Sequence, residues 1–195
     1  MADVQFTGQI YLAKTVELCA DMLAIDAEAA DLCNGLLEEQ LSSSIRPGHW
    51  SIAQNLAHLR TTTSVFLPVI DLALELSKRR ELLSHGPFGL SCYGRFLVWQ
   101  MEGRPMFKLR APQAIWPQLL PSARLELEHF LISQSAIRKR IDDAEGLNLT
   151  AFRFPSPLAK YIRLNLLECF HVLNAHSRRH LRQAVHVRRI LLGKT

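Results

Sequence analysis

Two histidines, His176 and His180, stand four residues apart in a segment with helical periodicity. Side chains at that spacing sit on adjacent turns and lean the same way. Their imidazole nitrogens can then reach one cation at about 2.0–2.1 Å, the zinc–imidazole distance. At about 100° per residue, both fall on the side of Cys169, Leu173, Ala184 and Val187, the apolar inward face. His171 and His186 fall on the other side, toward Arg182 and Arg189. A third ligand must come from another helix, and His58 is the candidate. It lies at the edge of an apolar arc beside Thr62 and Val65, with Asn55 and Thr62 placed to orient its other ring nitrogen. Three neutral nitrogen ligands leave a position open, the pattern of a catalytic site. The same spacing also suits core histidines satisfied by ordinary neighbours, and the chain has eight His in all. Glu168 lies about 80° round the wheel from His176, which argues against it as a ligand. Gln183 lies nearer the site face, as an orienting group or as a plain core-edge residue.

These residues need helices to hold them, and four long helical segments are readable. The first runs from about Gly8 to Leu41, with Thr7 as N-cap and an apolar stripe of Leu12, Val16, Cys19, Leu23, Ala30, Cys33, Leu37 and Leu41. The second runs from about Ser51 to Lys78. Ser51 and Gln54 make a capping box, and Ile52, Leu56, Leu59, Thr63, Phe66, Ile70 and Ala73 form the stripe. Pro68 should kink it. The third runs from about Ser122 to Ile141 and the fourth from about Lys160 to Leu192, stopped by Gly193. Between the second and third lie about 40 residues, from Arg79 to Pro121, rich in glycine, proline and aromatics such as Trp99, Phe107 and Trp116. So long a connection suits a crossover that leaves its flanking helices parallel, and Gly94–Met101 is a candidate short helix within it.

Composition narrows the field. Of the 195 residues, 48% are apolar and 21% charged, which is globular. The run Val65–Leu76 is broken by Pro68, Asp71 and Glu75 and is shorter than the roughly 20 residues a membrane span needs. The opening MADVQFTGQIYLAK lacks the features of an export signal. Cys19, Cys33, Cys92 and Cys169 include no C-x-x-C pair and read as reduced packing residues of a cytoplasmic protein. The net charge of +5 is uneven: residues 1–45 carry eight acids and one Lys, leaving 22 basic and 10 acidic residues in the rest. An acidic first helix packed beside basic later ones accounts for this better than a nucleic-acid surface does.

Four short stretches resemble a known family. Arg46-Pro47-Gly48-His49-Trp50-Ser51-Ile52 and Ala57-His58-Leu59 resemble the P-G-x-W-S-I and H-L opening of the second helix in the DinB-like superfamily. Asn174 to Gln183, containing His176, Arg179 and His180, resembles its H-x-x-R-H-x-x-Q signature. Lys108-Leu109-Arg110-Ala111-Pro112, with Pro117, resembles the lead-in to its third helix. The resemblance implies an all-α four-helix bundle with an up-down-down-up course and a long crossover between helices two and three, filling 1–195 as one domain. It further implies a divalent metal ion, nickel or zinc, held by His58, His176 and His180.

Members of that superfamily include bacillithiol and mycothiol S-transferases, an isomerase type and hydrolases. The resemblance therefore implies metal-dependent activation of water or a low-molecular-weight thiol, for transfer to or hydrolysis of a small molecule in stress defence or detoxification. The rival from another class is a metal-binding or interaction protein of the same fold without turnover, dimeric through its bundle faces. A basic nucleic-acid-binding bundle is the third reading. It requires the arginines of the last helix to form an exposed stripe unpaired with the first.

Overall fold

The computed structural model describes residues 12–13, 15–102 and 112–193. The expected N-cap Thr7, the start of the first helix at Gly8, and Phe107 to Ala111 lie outside them. The described chain is mostly helical. Its four longest helices are α1 (Thr15–Cys33), α3 (Ile52–Arg79), α5 (Ala123–Asp143) and α6 (Leu166–Leu191). The shorter ones are α2 (Glu38–Ser42) and α4 (Cys92–Glu102). The two-residue strands β1 (Leu12–Ala13) and β2 (Phe88–Gly89) pair antiparallel, as do β3 (Phe154–Pro155) and β4 (Arg163–Leu164). Each of α1 and α3 packs on both α5 and α6, and α4 lies along α6. No helix among the described residues is long and apolar enough to cross a membrane.

The second segment forms as its pattern dictates. Ser51 Oγ accepts from Gln54 N at 3.1 Å and Gln54 Oε1 accepts from Ser51 N at 2.9 Å, the two halves of the capping box. All seven stripe residues from Ile52 to Ala73 are buried, and α3 continues through Pro68. The first segment differs. Gly35, at φ +73°, takes the left-handed conformation that ends a helix, so α1 stops at Cys33 and α2 is separate. The inward face is Leu18, Met22, Ile25, Ala29 and Leu32, whereas Val16 is 73% exposed and Leu23 55% exposed. The expected stripe took its register from Leu12, which belongs to β1. The last segment also starts late. Asn165 caps α6, its Oδ1 accepting from Glu168 N at 2.8 Å, while Arg163 and Leu164 pair in the β3–β4 hairpin.

The connector holds more structure than its composition suggests. It contains β2, α4 and a single 3-10 turn at Gln113–Ile115. A Cβ at Gly94 would lie 2.7 Å from Glu168 Cγ, so glycine lets α4 approach α6. Buried Glu168 is fully engaged, accepting from Arg153 Nη2 at 2.7 Å, Ser91 Oγ at 2.5 Å and Asn165 N at 3.2 Å. The four cysteines are free thiols. Burial pushes Cys19 and Cys33 up to about 11 and raises Cys169 further, which keeps them protonated. Cys92, expected to pack, is instead exposed at the start of α4, with Arg95 Nη2 3.2 Å from its sulfur.

The apolar interior is divided. One cluster takes Leu18 and Met22 of α1, Phe66 to Leu74 of α3, Ile137 and Ile141 of α5, and Leu166 to Ala175 of α6. The other takes Ile25 to Cys33 of α1, Ile52 to Leu59 of α3, Ala123 and Phe130 of α5, and Leu181 to Val187 of α6. A band of buried polar side chains lies at the junction: His58, Thr61, Thr62 and Thr63 on α3, with Asn174, Ser177 and His180 on α6. The uneven charge is absorbed between helices. Asp21 meets Arg178 and Asp26 meets Arg138, while Arg188 donates to the carbonyls of Leu32 and Asn34. The unpaired arginine stripe that nucleic-acid binding required therefore does not form at Arg178 and Arg188.

Candidate metal centre

The structure brings His58, His176 and His180 together: one ring nitrogen from each lies within 4.8 Å of the others. His58 Nε2 and His176 Nε2 are 3.2 Å apart. Two nitrogens bound to one ion at about 2.0–2.1 Å stand about 2.9–3.4 Å from each other, from right-angled to tetrahedral geometry. Ring centroids are 4.4 Å apart for His58 and His180, 4.6 Å for His176 and His180, and 5.0 Å for His58 and His176. All three pairs are steeply inclined, so the rings point edges inward instead of stacking.

The outer nitrogens of His58 and His180 are held. His58 Nδ1 lies 2.5 Å from the carbonyl of Ile115, which can only accept, so Nδ1 carries the proton. The lone pair of His58 is then on Nε2. His180 Nδ1 lies 3.0 Å from Asn55 Oδ1. The Asn55 amide is itself oriented, because its Nδ2 donates to Ser51 O at 2.9 Å. Asn55 therefore presents an acceptor, and His180 also keeps its lone pair on Nε2. Such partners for the second ring nitrogen are what metal-ligating histidines usually have.

The centre is electrostatically prepared for a cation ligand set. Burial lowers the pKa of His58, against the smaller opposing effect of the Ile115 carbonyl. Burial, then the charges that His58 and Arg179 would present, brings His176 down to about 3. His180 is lowered well below its ordinary value, first by burial and then by His176, His58 and Arg179. All three rings are neutral near pH 7, the state in which imidazole donates to a metal. His58 and His180 are buried, and His176 is partly exposed. Trp50 covers one flank, its ring centroid 4.7 Å from that of His58 and 5.7 Å from that of His180.

Several orienting roles differ from those read in the sequence. Asn55 serves His180 across the helix pair, not His58 three residues along its own helix. Thr62 turns back to donate to the His58 carbonyl at 2.8 Å. Gln183 is exposed and takes no orienting role. His186 is exposed as expected, but His171 is half-buried and feels Asp21, Arg178 and Glu102. Trp50, read as a structural opening of the helix, also packs on two of the three rings. The Ile115 carbonyl carried no side-chain signal at all.

A family model of the DinB superfamily matches residues 25–184, which contain all three histidines and every long helix but the first turns of α1 and the end of α6. The chain belongs to the DinB superfamily. Comparison with the curated proteins gives no match, and comparison with the solved structures gives none. In this DinB-superfamily member, the described residues offer a cluster of three nitrogen donors able to hold a metal ion.

Asn55 gives a direct test of the orienting layer. Asn55→Ala frees His180 Nδ1 and should weaken metal binding by about 10–100-fold, the usual effect of losing such a partner. Asn55→Asp keeps an acceptor and should bind close to the native level. Competition against a chromophoric chelator measures both, and a change below about threefold for the alanine variant would show that Asn55 does not hold the ring.

Proposed function

We propose that this DinB-superfamily chain is a metal-dependent enzyme in which His58, His176 and His180 hold one divalent ion, nickel or zinc. The observation that carries this reading is the convergence of three neutral imidazoles, two of which, His58 and His180, have a partner on the outer nitrogen. A bound ion supplies Lewis-acid activation of a nucleophile, water or a low-molecular-weight thiol, for transfer or hydrolysis on a small molecule. The protein's own residues do the rest. Ile115 and Asn55 fix the tautomers of His58 and His180, and Trp50 shields those two rings. The buried carboxylates Glu126 and Glu168 are both engaged by arginines and serve the scaffold.

We further propose that the four long helices form a bundle with an up-down-down-up course. The divided core supports it. The N-terminal parts of α1 and α6 enter the same cluster as the C-terminal parts of α3 and α5, and the reverse holds for the other cluster.

The alternative reading is metal binding without turnover. One experiment separates the two readings. Protein purified without a histidine tag is analysed for metal, then incubated with small thiols and electrophiles and with ester substrates. The enzyme reading expects one ion per chain and turnover that His176→Ala abolishes. One ion without turnover above that variant's background selects the second reading, and no ion removes both.

A further inference from the structure

Arg178 and Arg179 are neighbours on α6 with different surroundings. Arg178 donates from Nη1 to Asp21 at 2.5 Å and from Nε to Glu102 at 2.8 Å. The other half-buried arginines of the helices are also engaged. Arg60 faces Glu126, Arg138 faces Asp26, Arg140 faces Asp71, and Arg188 donates to carbonyls at the end of α1. Arg179 is half-buried too, yet among the described residues it has neither a hydrogen bond nor an ion pair.

Its place in the helix makes this significant. Arg179 follows His176 by three residues and precedes His180 by one, so its side chain leaves α6 on the flank of the histidine cluster. Its charge reaches both rings and disfavours their protonation. Arg182, whose Nη2 donates to the Glu102 carbonyl at 2.6 Å, adds a second cation nearby. Its guanidinium nitrogens, without an acceptor among the described residues, are not among the buried atoms that lack a partner, so they reach solvent and can meet a ligand. Beside a site for a divalent cation this positive charge is unfavourable, since like charges repel. One anion lying between the guanidinium and the site would relieve that repulsion, and guanidinium matches an oxyanion with two parallel N–H donors.

We propose that Arg179, backed by Arg182, forms an anion subsite beside the triad, which binds a carboxylate or phosphate group of the substrate and so places its reacting atom over the three imidazoles. The subsite presupposes a metal held by those histidines. It makes the substrate class anionic, and it gives Arg179 a binding role distinct from metal ligation.

The test titrates nickel-loaded protein with acetate and, separately, with inorganic phosphate by calorimetry at fixed ionic strength. Arg179→Gln should weaken the tighter of the two anions by at least tenfold, and Arg179→Lys by less. Arg189→Gln, which removes the same charge from an exposed position, should leave the affinity unchanged. Nickel affinity of Arg179→Gln should equal or exceed the native value, because a positive charge has been removed from beside the ion. The tighter of the two anions identifies the oxyanion as carboxylate or phosphate. Equal anion affinity for the native protein and Arg179→Gln, or no anion binding by the native protein, would overturn the subsite. Failure of the native protein to take up nickel or zinc would instead overturn the metal centre beneath it.

Discussion

His180→Ala is expected to lower the affinity for the proposed metal by more than about 100-fold, beyond the range seen when only an orienting partner is lost. The substitution removes one of three nitrogen donors and leaves the Asn55 carbonyl without its ring N–H. It also removes a ring that packs at 5.7 Å from Trp50, so fold must be checked by circular dichroism alongside binding. Gln183→Ala, at an exposed position on the same helix, should bind like the native protein. Equal affinity of the His180→Ala and native proteins would mean that the rings meet for packing and not for metal. The pH dependence gives a second readout. A proton and a metal compete for the same lone pair, and burial has lowered all three histidines from their ordinary 6.5, His176 to about 3. Proton competition therefore begins below pH 6.5, and affinity should change little between pH 8 and that point. In the metal-free protein the sign is the same. The folded state holds these rings neutral, so their contribution to stability is complete above pH 6.5 and is lost as pH falls toward 3. Affinity that drops steeply from pH 7 downward would contradict the buried, neutral triad.

Glu126→Ala is expected to destabilise the protein by about 3 kcal/mol, the lower end for breaking a buried ion pair. Glu126 is wholly buried, and its Oε2 meets Arg60 Nε at 3.0 Å, with the Arg60 side chain 21% exposed. Its Oε1 also accepts from the Leu120 backbone N–H. Alanine leaves the Arg60 Nε–H and the Leu120 N–H without their acceptor at a part-buried position. For a chain of this size the melting temperature should fall by roughly 6–12 °C, at about 2–4 °C per kcal/mol. The consequence reaches the metal centre. Arg60 Nη2 also donates to Gln118 O at 2.5 Å, so one carboxylate on α5 and one guanidinium on α3 clamp the chain between Gln118 and Leu120. Three residues earlier that same strand of chain offers the Ile115 carbonyl to His58. Loosening the clamp should therefore reduce metal affinity as well as stability, and Glu126→Gln, which retains an acceptor, should do less of both. A variant that melts earlier but binds metal at the native level would show that His58 holds Ile115 unaided.

How far the residues could be read depended on how many partners each reading needed. The α3 helix was legible throughout because Ser51 and Gln54 cap each other locally and a single apolar face spans seven positions. The start of α6 carried an equally local signal, Asn165 followed three residues later by Glu168. It was masked by Leu158, Ile162 and Leu164, whose apolar spacing prolongs the pattern backward into the β3–β4 hairpin. The α1 helix misled for another reason. Val16 and Leu23 are as apolar as Leu18 and Met22, so periodicity alone could not choose the inward face, and only contact with α5 and α6 did.

Capping and periodicity act between residues a few positions apart, which made α3 and the spacing of His176 and His180 legible in the residues alone. Which group orients which ring was settled only by packing. Asn55 reaches His180 across 125 positions, and Ile115 reaches His58 across 57. Those pairings depend on where two helices and a connector come to rest against each other. A backbone carbonyl, moreover, is chemically the same whichever side chain its residue bears.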